Sequence, residues 1–157
     1  MHTNGWKNAS LILMVLLVGC GPKTPPADKG SKPKEAASDD AHAHGSGPHG
    51  GTIADWGGGK FHVEFTVDHG KKETTVYILG DDAKTPAPVS AAKLLVSISD
   101  PQFQVELEPK PLEGEAEGSS SRFIGTHDNL GKVQEFAGTI SGEVDGKPFA
   151  GDFKEEP

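Results

Sequence analysis

Sulfur-containing residues are scarce in this chain of 157 residues. Cys20 is the only cysteine, and both methionines, Met1 and Met14, precede it. A single cysteine cannot form an intramolecular disulfide, so a hydrophobic core has to stabilise the fold. The chain after Cys20 offers no thioether and no second thiol, which excludes the soft Cu(I) sites that require sulfur ligands.

Long apolar runs are also absent. The run Leu11–Val18 is well short of the ~20 residues that a membrane-spanning helix needs, and with Lys7 before it the segment is typical of a secretory signal. Leu17-Val-Gly-Cys20 resembles the lipobox of bacterial lipoproteins. The resemblance implies cleavage before Cys20 and acylation of its thiol and new amine, with fatty acids such as palmitate. Because Gly21 rather than Asp follows, it also implies an outer-membrane lipoprotein that faces the periplasm.

Positive charge is in the minority. The chain has 15 Lys and Arg against 23 Asp and Glu, a formal net charge of -8. Removal of residues 1–19 takes away Lys7 and no acidic residue, so the charge becomes -9. An acidic extracytoplasmic domain is unsuited to nucleic acid and to anionic lipid headgroups. The expected membrane contact is therefore the lipid on Cys20, not the protein surface.

Motifs of catalysis are missing as well. Ser119-Ser-Ser121 lies in a polar stretch without the Gly-x-Ser-x-Gly turn of hydrolases. Gly57-Gly-Gly59 precedes a strand pattern rather than a helix, so it is neither a phosphate-binding loop nor a dinucleotide fingerprint. The sequence therefore predicts that the protein is not an enzyme and has no organic cofactor.

Composition divides the chain into three segments. Residues 1–19 are the predicted lipoprotein signal peptide. Residues 20–48 are rich in Pro, Lys, Ala, Ser, Asp and Gly without apolar periodicity, which predicts a lipid-anchored disordered linker with a histidine-rich end. Residues 49–157 are long enough for one domain with a single core.

Period-two alternation predicts an all-β fold for that domain. Strands alternate apolar and polar residues most clearly in Phe61–Val67 and Gln102–Glu108. Asp145-Gly146 fits a type I′ turn, which pairs Val144 with Lys147 and sets glycines opposite Phe149 and Phe153, leaving those rings space. About seven strands predict a small antiparallel β-sandwich, immunoglobulin-like. The other segments with strand character are Thr74–Leu79, Ala92–Ser99, Arg122–Thr126 and the two arms of the last hairpin.

Histidines are concentrated where the linker enters the domain. His42, His44 and His49 lie among glycines and a proline, and His62 alternates with Glu64 on the polar face of the first predicted strand. Imidazole is a common ligand of borderline divalent metals, and a flexible arm allows several rings to converge on one ion. The sequence predicts a site for Zn²⁺, Cu²⁺, Ni²⁺ or Co²⁺ built from these four histidines, with Glu64 as a ligand or as an orienter of an imidazole ring. Solvated histidines in a linker and an ordinary wet sheet face are the alternatives.

Part of the chain resembles the His-Gly-Gly segment of heavy-metal efflux adaptors of the cobalt-zinc-cadmium type. The residues that carry the resemblance are Pro48-His49-Gly-Gly51, Gly57-Gly-Gly59 and His62-Val-Glu64. The resemblance covers residues 42 to about 80. It implies periplasmic metal capture by His42, His44, His49, His62 and Glu64. The chain has no long coiled-coil hairpin and no room for the adaptor barrel, so a stand-alone protein is expected.

Two functions follow from these observations. The first is a non-enzymatic, lipid-anchored protein that captures or buffers divalent metal in the cell envelope. The alternative is a structural or interaction lipoprotein that docks an envelope protein, for example by adding an edge strand, and binds no metal.

Overall fold

The computed structural model of the protein describes residues 46–155. The predicted signal peptide, the predicted lipidation site Cys20, and the histidines His42 and His44 lie outside this range. Among the described residues, no helix is long and apolar enough to cross a membrane.

Eight antiparallel strands make up the described part of the chain, and its one helical element is a short 3-10 helix, Asp128–Gly131. The all-β prediction is therefore confirmed. The strands are β1 (Thr52–Trp56), β2 (Phe61–Asp68), β3 (Glu73–Leu79), β4 (Leu94–Ile98), β5 (Phe103–Pro109), β6 (Arg122–Thr126), β7 (Ala137–Val144) and β8 (Lys147–Lys154).

The strands follow the order β1-β2-β3-β6-β5-β4-β7-β8 in one sheet. A short pairing joins its two halves, since β5 and β6 share only the pairs Glu108–Ile124 and Pro109–Phe123. The halves face one another across the core, where Phe65 of β2 stacks on Phe153 of β8 with ring centroids 4.3 Å apart. The outer strands β1 and β8 also meet, because a Cβ on Gly151 would overlap the carbonyl oxygen of Asp55. The sandwich is thus nearly a closed barrel, with a strand order of its own rather than the immunoglobulin order.

Alternation positions the side chains as expected in the most regular strands. In β5, Phe103, Val105 and Leu107 are buried while the residues between them are exposed. The last hairpin has the predicted register throughout, from Val144–Lys147 to Gly138–Phe153. Asp145 and Gly146 both have positive φ, 52° and 73°, as a type I′ turn requires.

The glycines of that hairpin make room for groups other than the predicted phenylalanine rings. Cβ atoms on Gly142 and Gly151 would crowd the ring of Trp56, at 3.2 and 2.9 Å from its nearest atoms. At Gly138, a Cβ would overlap the carbonyl oxygen of Ser97 on β4. The glycines therefore leave space for Trp56, for the Leu94 side chain and for neighbouring backbone, whereas the sequence pattern attributed them to Phe149 and Phe153.

Strand β1 is the element that the sequence pattern did not predict. Its burial pattern does not alternate, since Ile53, Ala54 and Trp56 are all buried. Trp56 is fully buried, and its Nε1–H donates to the carbonyl oxygen of Ile140 at 3.0 Å. Three successive glycines with positive φ, residues 57–59, then reverse the chain into β2. Trp56 and these glycines close one corner of the core.

Candidate metal centre

The outer face of β2 carries the two candidate residues that the sequence placed on one strand. His62 and Glu64 alternate with Val63 and Phe65, which face the core. The outer face is nevertheless not wet, because Glu64 is 0% exposed and His62 is 7% exposed. Polar groups that are buried this deeply need hydrogen-bonding partners, and three chain segments supply them: the turn before β1, β1 itself and the loop after β3.

The first segment is a tight turn, Gly47–Gly51, at the start of the described chain. Gly50 N–H donates to the Gly47 carbonyl oxygen at 2.9 Å, and Gly47 N–H donates to the Gly51 carbonyl oxygen at 2.8 Å. Pro48 stands at the second position of the turn, where a fixed φ is favourable. A Cβ on Gly47 would overlap the Glu64 carboxyl group. Only glycine at this position allows the turn to lie directly on the buried carboxyl group.

The Glu64 carboxylate holds the turn with three hydrogen bonds. Oε1 accepts from the backbone N–H groups of His49 at 2.8 Å and Gly51 at 2.9 Å. Oε2 lies 2.7 Å from Nδ1 of His49. Because an ionised carboxylate only accepts hydrogen bonds, this contact suits the tautomer of His49 that has the proton on Nδ1. Both carboxylate oxygens are thereby engaged with the same short segment.

The His49 ring is fixed in a second way, by stacking on Tyr77 of β3. The two rings are nearly parallel, at 5°, with centroids 3.6 Å apart. Tyr77 pairs with Glu64 across the β2–β3 ladder, which places its ring on the same face. The His49 side chain stays 37% exposed. With Nδ1 bound to Glu64, Nε2 remains as the nitrogen that could donate a lone pair to an external group.

His62 is occupied on both sides of its ring. Nδ1 lies 2.9 Å from the carbonyl oxygen of Gly80, and Nε2 lies 2.9 Å from Oδ1 of Asp55. The ring therefore links β1 and β2 to the loop that follows β3. Since a metal ion binds an imidazole through a ring nitrogen, a ligand role for His62 would require one of these contacts to break. This arrangement favours a structural role.

The predicted set of five ligands is only partly assembled. His49 and Glu64 contact each other, but residues 46–155 contain no group of three or more His, Cys, Asp or Glu that could hold a metal ion. His62 therefore does not complete a site with His49 and Glu64 in the described part of the chain. His42 and His44, the remaining candidates, lie outside it.

The two other histidines of the domain have structural contacts. His69 lies with Nδ1 2.7 Å from the carbonyl oxygen of Leu130. His127 is the N-cap of the 3-10 helix, where its Nδ1 accepts from the Asn129 N–H at 3.1 Å, and its ring stacks on Phe103 at 4.4 Å. Both lie beyond the far end of β2. His69 is five residues after Glu64, about 16 Å along an extended chain.

Near His69, the carboxyl group of Glu155 has a perturbed pKa. Burial raises this pKa above its ordinary 4.5, although the Phe136 N–H, which donates to Oε2 at 2.7 Å, and the adjacent His69 oppose the shift. A carboxyl group that releases its proton less readily when folded makes stability fall as the pH rises above the unfolded value. We therefore expect Glu155→Gln, which keeps an acceptor for Phe136, to gain stability over the native chain as the pH is raised from 4 towards 7.

Urea unfolding of both proteins at several pH values measures this difference. A constant difference across the range would show that the pKa of Glu155 is the same in the folded and unfolded chains.

No protein family, curated protein or solved structure matches this chain at a significant level. The function must therefore be argued from its own geometry.

Proposed function

We propose that the protein is a lipid-anchored, extracytoplasmic binder of divalent metal that captures or buffers the ion and catalyses no reaction. The observation that carries this proposal is the 2.7 Å contact between His49 Nδ1 and Glu64 Oε2. Histidines that bind metal commonly donate their other ring N–H to a carboxylate, which fixes the tautomer and makes the free nitrogen a better donor. The contact between His49 and Glu64 has this geometry.

The geometry supports different roles for the two residues. His49 would bind the ion through Nε2. Glu64 would orient His49 rather than bind the ion, because both of its oxygens already accept hydrogen bonds from the turn. Oxygen and nitrogen donors without sulfur favour Zn²⁺, Cu²⁺, Ni²⁺ or Co²⁺.

One histidine alone binds metal weakly. We propose that the other ligands come from the histidine-rich end of the predicted linker. His44 and His42 precede His49 by five and seven residues. An extended chain spans about 3.5 Å per residue, so the separation in sequence is short enough for both to share an ion with His49. The proposed lipid on Cys20 would hold this site close to the membrane, on the periplasmic side.

Calorimetric titration of the mature chain tests the proposal. Residues 20–157 with Cys20→Ser, which prevents acylation, are titrated with Zn²⁺, Cu²⁺ and Ni²⁺. We expect saturable binding with a Kd of roughly micromolar or below, and a loss of at least 10-fold in affinity in His49→Ala. A combined His42→Ala/His44→Ala variant is expected to lose affinity as well.

The matched control is His127→Asn. It removes an imidazole outside the proposed site and retains a side-chain acceptor suited to an N-cap. Equal affinity in the native chain, His49→Ala and His127→Asn would place the metal elsewhere. Unsaturable heat in all of them would refute metal binding by this chain.

A second candidate is a structural or interaction module. An open groove along β4, β7 and β8 is lined by Leu95, Ser141, Pro148 and Phe149 among others. Apolar surface of this kind favours a protein contact. Edge-strand addition is disfavoured, because β1 and β8 lie against each other. This candidate is preferred if the titration detects no metal.

A further inference from the structure

The turn Gly47–Gly51 depends on one side chain for its polar attachment to the sheet. All three hydrogen bonds that join it to β2 end on the Glu64 carboxylate. Stacking of His49 on Tyr77 is the additional contact. The turn is also the point at which the histidine-rich arm meets the domain. A segment whose three hydrogen bonds to the sheet all end on one carboxylate is suited to open and close as a unit. Loss of that carboxylate releases the three hydrogen bonds together.

We propose that the Gly47–Gly51 turn is a latch, and that metal binding at His49 and closing of the latch are coupled through Glu64. The proposal rests on the proposed function, because it concerns the same metal site. In the closed latch, Glu64 keeps the proton of His49 on Nδ1 and leaves the lone pair on Nε2. In an open latch, His49 has no such partner and both tautomers are available.

The coupling has a direct electrostatic cause. A cation on Nε2 draws electron density from the imidazole and makes the Nδ1–H a stronger donor. Its acceptor is a buried carboxylate, and hydrogen bonds between charged groups are the strong ones. Metal therefore stabilises the closed latch.

By thermodynamic reciprocity, the closed latch raises metal affinity by the same factor. The device converts metal occupancy into the position of the Gly47–Gly51 turn.

Two variants separate the parts of the latch. Glu64→Gln retains a side-chain oxygen that can accept from the backbone N–H groups of His49 and Gly51. Its NH₂ group would face His49 Nδ1 and donate to it, which moves the ring proton to Nε2 and blocks the metal. His49→Ala removes the ligand and the ring stack but retains both backbone hydrogen bonds.

Amide hydrogen exchange at Gly51, followed by NMR in the same mature chain with and without Zn²⁺, measures closing. Long-range proton–nitrogen spectra of His49 report its tautomer. The reference is the Ser119 amide, which donates to the Ala116 carbonyl oxygen in a loop that contains none of the candidate residues. We expect saturating Zn²⁺ to slow exchange at Gly51 by about 10-fold or more, in keeping with the 10–100-fold effects of such orienting residues, and to leave Ser119 unchanged.

Without metal, the native chain should show His49 with the proton on Nδ1, and Glu64→Gln should show it on Nε2. In Glu64→Gln, Gly51 should stay protected while Zn²⁺ affinity falls by about 10–100-fold. This combination supports the coupling, because a merely structural role of Glu64 would not change the tautomer.

The outcomes distinguish the latch from the metal site. If Zn²⁺ binds but exchange at Gly51 does not change, the coupling is overturned and the proposed function stands. If none of Zn²⁺, Cu²⁺ and Ni²⁺ binds, both are overturned. Equal Zn²⁺ affinity and the same tautomer in the native chain and Glu64→Gln would also overturn the coupling.

Discussion

Trp56→Ala is expected to lower the free energy of unfolding by about 3–5 kcal/mol, the usual cost of removing a buried tryptophan. The side chain is fully buried at the corner where β1 meets the opposite half of the sheet. Its ring lies 5.7 Å from that of Phe149 and above Gly142 and Gly151, so alanine would leave a cavity bordered by backbone that cannot move inwards. The Ile140 carbonyl oxygen would also lose its indole donor.

Urea unfolding followed by circular dichroism measures this loss. Trp56→Phe separates the two contributions, because it retains an aromatic ring and removes the N–H; we expect a cost between those of the native chain and Trp56→Ala. Val133→Ala is the control, since Val133 is 86% exposed and such surface changes usually stay within about 0.5 kcal/mol. A loss below about 1 kcal/mol in Trp56→Ala would contradict the position of this ring in the core.

Gly151→Ala is expected to cost about 1–3 kcal/mol, as over-packing of a core does. The added methyl group would overlap the carbonyl oxygen of Asp55 and lie 2.9 Å from the Trp56 ring. Backbone cannot rotate out of the way as a flexible side chain does. The substitution therefore has to push β1 away from β8, and it weakens the near-closure of the barrel.

The matched control is Gly70→Ala, because the nearest atom to its added Cβ would be a carboxylate oxygen of Asp68 at 3.4 Å. We expect a change within about 0.5 kcal/mol there. Thermal unfolding of both variants gives the comparison. Equal midpoints for the two would mean that β1 and β8 are farther apart in solution than the structure has them.

Local rules explain how much of the fold could be predicted from the sequence. The faces of β5 follow from alternation, and the register of the last hairpin follows from Asp145-Gly146, because both depend on residues that are neighbours in the chain. Strand β1 was missed for the opposite reason. Its burial depends on Trp56 reaching Ile140, 84 residues away, and no local pattern encodes such a contact.

The candidate site was predicted from residue chemistry, and the structure shows which of its described residues lie together. His49 and Glu64 were selected as residue types suited to metal, and their contact confirms that they lie together. The sequence could not distinguish the roles of His49 and His62. The distinction depends on Asp55 and the Gly80 carbonyl oxygen, which contact the two ring nitrogens of His62. Tyr77 was missed, although aligning the β2–β3 hairpin sets it opposite Glu64.

The meeting of β1 with β8 has a consequence for the order of folding. Trp56 of β1, the first strand of the domain, donates its hydrogen bond to Ile140 of β7. On the side away from β2, β1 lies against β8, the last strand. Contacts between such distant residues form late, because closing a long loop costs entropy before it brings any gain. A chain that is still emerging from a ribosome therefore cannot complete this core. The domain reaches its final packing only after its C-terminal hairpin has been released.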